Sequence, residues 1–184
     1  RRVRQALNYG IDRQALVDYV LNGKGYPANS GMVPMGMPGF DATAVKGYHF
    51  DPDRAAELLA EAGFPGGKGI PVLSLKSNPA FQAPMEFVQK SWERLGLTVT
   101  IDNMDGAALR ESAGKGEINL WRAGWIADYP DGENYLGLFA TAQIPPNGPN
   151  RMRFSYAKFD SLFAAAESEP RDSIRFQLYQ EMDR

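Results

Sequence analysis

Two short alternating runs, VLSLKS at 72 to 77 and LTVTID at 97 to 102, enclose a helical stripe in which Phe81, Met85, Val88, Trp92 and Leu95 recur up to Gly96. A short helix near 105 to 113 and a third run at 118 to 127 (INLWRAGWIA) continue the alternation. Strands that alternate with helices predict βαβ units and a mainly parallel sheet flanked by helices. The class expected is α/β.

The remaining segments fit around that unit. Residues 3 to 9 and 12 to 22 read as a helical pair, the second opened by Asp12 as N-cap and stopped by Gly23. From Gly23 to Tyr48 the chain is rich in Gly, Pro and Met without periodicity, which predicts a long ordered loop. Asp51 and Pro52 then open a helix with Ala55, Leu58, Leu59 and Ala62 on one face, ended by Gly63. Two C-terminal helices are expected, one with Phe159, Leu162, Phe163 and Ala166 on one face, the other with Ile174, Leu178 and Met182 inward.

Composition removes several functions. At 184 residues, with 43% apolar and 23% charged residues, the chain can bury a core as one domain. A net charge of -2 with scattered basic residues gives no electrostatic footprint for nucleic acid. No window matches the roughly 18 apolar residues of a membrane span. The opening RRVRQAL has no initiator Met and already reads as helix, so the chain is expected to be a piece of a longer protein. Without cysteine there is no disulfide, thiol nucleophile or thiolate metal site.

The enzyme inventory is thin. His49, the single histidine, lies in GYHFDPDRA and reads as a surface or packing residue, which leaves no base for a Ser-His-Asp or Cys-His hydrolase. A phosphate loop around Gly67-Lys68 fails, because Ala62 stands where its first Gly would be and Gly69 where its Ser or Thr would be. Asp128, Asp131 and Glu133 are close enough in sequence to hold a metal, but with no histidine beside them a solvated helix start is the favoured reading.

The informative stretch is LWRAGWIADYPDGENYLGLF, residues 120 to 139. In an extended chain Ile118, Leu120, Arg122, Gly124, Ile126 and Asp128 share one face, with Trp121 and Trp125 on the other. Arg122 and Asp128 would then stand about 20 Å apart along the backbone, too far for a simple ion pair unless Gly124 bends it. Opposite charges at the C-terminal end of a sheet strand suit a zwitterionic ligand, Asp128 meeting an ammonium and Arg122 an anion. Two plainer roles stay open: Asp128 stabilising the start of the next helix, and Arg122 pairing with a structural carboxylate.

At this segment the chain resembles the oligopeptide and dipeptide binding proteins of bacterial extracellular solute-binding family 5. The resemblance runs in order through VRQALNYGIDRQALVDYVLNGKGYPA, FDPDRAAELLAEAGFPGG, GLTVTID, RAGWIADYPDGENYLGLF and YAKFDSLFAAAESEPRDSIRFQLYQEMDR. It implies a type II periplasmic-binding-protein lobe, the second, C-terminal lobe of a two-lobe protein whose first lobe is absent. It further implies that ligand is enclosed by hinge closure, without a cofactor or catalysis. The aspartate of the family's GW-x-x-D pattern, which binds a peptide's α-amino group, falls on Asp128, with Gly124 and Trp125 completing the pattern. Arg122 and the backbone from Ala123 through Ile126 to Ala127 match the adjoining ligand-facing strand. Trp125 would line the pocket, although strict alternation turns its side chain away from Asp128.

The implied partners are a peptide or other small solute and the permease of an ABC transporter. The implied location is the periplasm or the cell surface as a lipoprotein, with membrane contact only through the permease or a lipid anchor outside this segment. DYPDGEN departs from several peptide binders, and related members take other solutes, so a sugar, opine or metal chelate stands as the alternative ligand. The absence of histidine from the segment weighs against a metal held by protein imidazole.

Overall fold

A computed structural model describes residues 1–184. The chain forms two compact units, one of Arg1–Asn29, Tyr48–Leu109 and Leu120–Arg122, the other of Ser30–Gly47, Arg110–Asn119 and Ala123–Arg184.

In the first unit α1 (Arg2–Tyr9) is followed by a helical turn, Arg13–Ala15, that widens into a π-helical turn at Leu16–Val20. Asp12 caps it as expected, its Oδ1 accepting the Ala15 N–H at 2.9 Å. The continuous helix expected to residue 22 is therefore shorter and wider. Asp51 Oδ1 accepts the Arg54 N–H at 2.9 Å and Pro52 takes the first position of α2 (Pro52–Glu61), whose Ala55, Leu58 and Leu59 are buried.

The expected βαβ unit follows. β1 (Leu73–Ser77) leads through a 3₁₀ turn, Pro79–Phe81, into α3 (Gln82–Glu93), and β2 (Val99–Asn103) pairs parallel to β1 with Leu73 opposite Val99 and Ser77 opposite Asn103. Leu75, Val88, Trp92, Leu95, Leu97 and Val99 join the buried face of α2 in one core. At ~25 cal/mol per Å² of apolar surface, each such side chain contributes roughly 1.5–3 kcal/mol against leaving it exposed. No strand lies beyond β2. On that edge Gln89 Nε2 donates to the Val99 carbonyl at 2.7 Å.

The third strand expected at 118 to 127 does not form. Residues 120 to 122 make one parallel bridge: the Lys76 N–H donates to Leu120 O at 3.0 Å and the Arg122 N–H to Lys76 O at 2.8 Å. A longer ladder would need Asn78 as its next partner, but the Asn78 carbonyl accepts the Phe81 N–H at 2.9 Å as the chain turns into Pro79–Phe81. The ladder ends because β1 ends. The molecule is still an α/β chain with a parallel sheet and flanking helices.

After β2 comes α4 (Gly106–Lys115), at whose start Asp105 Oδ1 accepts the Ala107 N–H at 2.8 Å. The second unit is built on α5 (Ala157–Ser168) and α6 (Asp172–Met182), with Val33, Leu136, Ala140, Phe159, Phe163, Ala166 and Tyr179 in its core. Residues 30–47 carry no helix or strand, in line with the expected loop. The C-terminus secures them: Asp183 accepts the Met32 and Val33 N–H groups at 2.5 and 3.1 Å, and Arg184 Nε donates to Ala44 O at 3.0 Å. Asn150, fully buried, spends its amide on Ala140 O, Phe154 O and Phe154 N–H.

Candidate ligand-binding site

The expected site residues divide between the units: Arg122 belongs to the first, and Gly124, Trp125, Ile126, Ala127 and Asp128 to the second. In the first unit the bridge to Lys76 fixes the Arg122 backbone, and the 3₁₀ turn after β1 sets Phe81 beneath its side chain. The guanidinium carbon lies 3.3 Å from the centre of the Phe81 ring. Burial lowers the Arg122 pKa and no carboxylate comes within ion-pair distance, so the structural pairing left open by the sequence is not made. Arg122 remains a cation, with its guanidinium edge unspent on any acid.

In the second unit the chain from Ala123 to Ala127 makes no main-chain hydrogen bond to the rest of the protein. Ala123, Gly124 and Ile126 are exposed, Ile126 to 89%. Water satisfies such groups in the free protein, and a second chain can replace it. Without a strand here, the alternation argument that turned Trp125 away from Asp128 does not apply. Trp125 is half-buried and its Nε1–H donates to Asn134 Oδ1 at 2.7 Å.

Asp128 is exposed, and its carboxylate enters no hydrogen bond or ion pair; only its N–H is engaged, donating to Asn134 Oδ1 at 3.4 Å. The plainer role of helix stabiliser belongs instead to Asp131, whose Oδ1 accepts the Glu133 N–H at 2.9 Å at the start of the short helix Glu133–Leu136. Asp131 also meets Arg175 of α6 at 3.3 Å. The phenol of buried Tyr179 has its pKa raised, first by burial and then by its hydrogen bond to Asp131. Tyr129 hydrogen-bonds Glu133, and this contact and burial raise its pKa, while the Asn134 side chain pulls the other way.

Sequence reasoning missed the parts of Phe81 and Asn134, while Asp131 takes the helix-start role favoured for that group of carboxylates. The one available signal was that a half-buried indole N–H requires an acceptor, and Asn134 is the neutral amide of the DGEN turn. The carboxylates at 128, 131 and 133 do not gather as metal ligands: no group of three or more acids or histidines is placed to hold an ion. His49 is exposed, 3.7 Å from Asp51 and edge-on to Tyr9.

Residues 1–146, including the whole 120 to 139 segment, match the family model described as bacterial extracellular solute-binding proteins, family 5 Middle. The chain belongs to this family. Among family 5 relatives it is 34% identical over 188 residues to the glutathione-binding protein GsiB of Salmonella paratyphi A, covering 98% of this chain and 36% of the relative. It is 31% identical over 186 residues to heme-binding protein A of Haemophilus influenzae, covering 98% and 33%. A periplasmic oligopeptide-binding protein from Borrelia burgdorferi superposes with a TM-score of 0.84 at 26% identity, over 99% of this chain and 36% of that one. The chain thus spans about a third of the length of these relatives. Family 5 proteins are solute-binding proteins, as the ordered sequence blocks implied.

Proposed function

We propose that this chain is the second, C-terminal lobe of the extracytoplasmic substrate-binding component of an ABC importer, and that it captures peptides by closing with a first lobe before handing them to the permease. Asp128 takes the ligand's terminal ammonium. The main-chain groups from Ala123 through Gly124 and Ile126 to Ala127 pair with the peptide backbone, which gives affinity without reading side chains. Trp125 walls the pocket and Arg122 receives an anionic group of the ligand.

The observation that carries this reading is the free Asp128 carboxylate adjoining a run of unspent main-chain donors and acceptors. Supporting it, two of the similar proteins are named for glutathione and oligopeptide binding. Enclosed with an ammonium, Asp128 would form a desolvated charge pair, and truncating one partner of such a pair costs roughly 2–5 kcal/mol, or about thirty-fold to several thousand-fold in affinity. Calorimetric titration of the full-length protein and its Asp128→Ala variant with trialanine and N-acetyl-trialanine tests this. The wild type should favour the free peptide and the variant should not; equal binding of both peptides by the wild type refutes the role of Asp128.

A non-peptide solute is the second reading, favoured by the heme-binding relative. Mass spectrometry of ligand co-purified with the full-length protein separates the two.

A further inference from the structure

The Asn134 side chain is the one group of the protein that hydrogen-bonds the Ala123 to Asp128 run. Within that run the only hydrogen bonds to the rest of the chain are the two accepted by Asn134 Oδ1, from Trp125 Nε1–H at 2.7 Å and from the Asp128 N–H at 3.4 Å. A carbonyl oxygen has two lone pairs, and here each faces a donor. The donors also fix which way the amide points: turned over, its NH₂ would confront two N–H groups.

Asn134 is itself held. Its N–H donates to Asp131 O at 3.3 Å, Asp131 is tied to Arg175, and Leu136, two residues on, is 1% exposed in the core. The run therefore has a firm post at Asn134 and no other hydrogen-bonded support.

We propose that Asn134 is a positioning residue: by tying the Trp125 indole and the Asp128 backbone to one oxygen, it aims the Asp128 carboxylate and the Trp125 ring before ligand arrives. This rests on the reading of Asp128 as the ammonium's partner. A charged group on an untethered loop must be ordered during binding, which subtracts from affinity, and a tether made beforehand removes that cost. The tether must be an acceptor, since both of its partners are donors. Aspartate keeps that acceptor oxygen while giving up the amide's hydrogen bond to Tyr129, whereas a side chain too short to reach Trp125 supplies no tether.

The test uses the full-length protein with trialanine and N-acetyl-trialanine as probes. Asn134→Ala should weaken free trialanine about ten-fold, the worth of one hydrogen bond's preorganisation, and weaken the acetylated peptide less, so that the preference between them narrows. Asn134→Asp keeps the acceptor and should hold the Trp125 indole proton resonance near its wild-type position, and Asn134→Ser carries the same expectation as Ala should Ala fail to fold. In the unliganded protein, truncation should speed amide exchange at Asp128 and shift the Trp125 indole proton resonance. If the wild type discriminates between the peptides and Asn134→Ala discriminates equally well, the positioning role is wrong while the role of Asp128 stands. If the wild type does not discriminate, both fall. Aspartate behaving like alanine overturns the requirement for an acceptor.

Discussion

Trp92 donates its indole Nε1–H to the main-chain carbonyl of Leu7 at 2.9 Å. That carbonyl lies in the last turn of α1, where the Ile11 N–H that could have reached it bonds Asn8 O instead. Asn8 O is met in addition by Arg13 Nη1 at 3.0 Å, so two side chains from elsewhere complete the end of α1. Arg13 places a cation at the negative pole of the helix. Trp92→Phe keeps the ring in the core but orphans the Leu7 carbonyl, and should lower stability by about 1–3 kcal/mol in urea unfolding.

Gly96 and Gly63 both hold positive φ, 84° and 88°, but differ in surroundings. A side chain at Gly96 would strike the Gly66 carbonyl, whereas one at Gly63 meets nothing. Gly63→Ala should therefore cost only the left-handed conformation, about 1–2 kcal/mol. Gly96→Ala should cost clearly more, because backbone must yield. Paired thermal unfolding of the two variants isolates the close approach.

Phe81 carries the Arg122 guanidinium on its face. Phe81→Leu keeps an apolar contact and removes the ring's quadrupole, which is worth about 0.5–2 kcal/mol to a stacked cation. Backbone resonances of β1 and β2 should hardly move, while the Arg122 Nε–Hε heteronuclear NOE should fall.

Asp183 gives a pH dependence of definite sign. Burial raises its pKa above the ordinary 3.8, and the Met32 and Val33 N–H groups offset this in part. The folded state thus holds the proton more tightly than the unfolded state. Its contribution is fully present below the ordinary value and is lost as pH rises through the folded value. In Asp183→Asn this loss disappears. Relative to wild type, the variant should gain stability from pH 3.5 to 7, on top of a constant deficit from one lost N–H acceptor. Urea unfolding across that range reads both, and parallel curves would contradict the assignment.

What the sequence revealed depended on how local each cause was. α2 was legible because Asp51, Pro52 and the Ala55, Leu58, Leu59 face lie within a few turns of one another, and β1, α3 and β2 were legible from their own periodicities. The strand at 118 to 127 was not, since its length depends on where its partner turns, and that is decided by the turn that opens at Asn78, about forty residues earlier. Tyr179 is the most buried residue of α6, although Ile174, Leu178 and Met182 were expected to form its inner face. A tyrosine goes inside when its hydroxyl finds a partner, and Asp131 is distant in sequence. In the candidate site the motif led to Asp128, Trp125 and Arg122, but the residues those three lean on, Asn134 and Phe81, are set by tertiary contact.

The lone Gln89 bond to Val99 has a consequence for how this polypeptide behaves by itself. Along its outer flank β2 leaves the Ile101 peptide groups without a strand partner, and an unpaired edge of that kind recruits any stretch of chain able to lie alongside it. Concentrated preparations of these 184 residues should self-associate through that edge, and a covering segment supplied in trans should keep them dispersed.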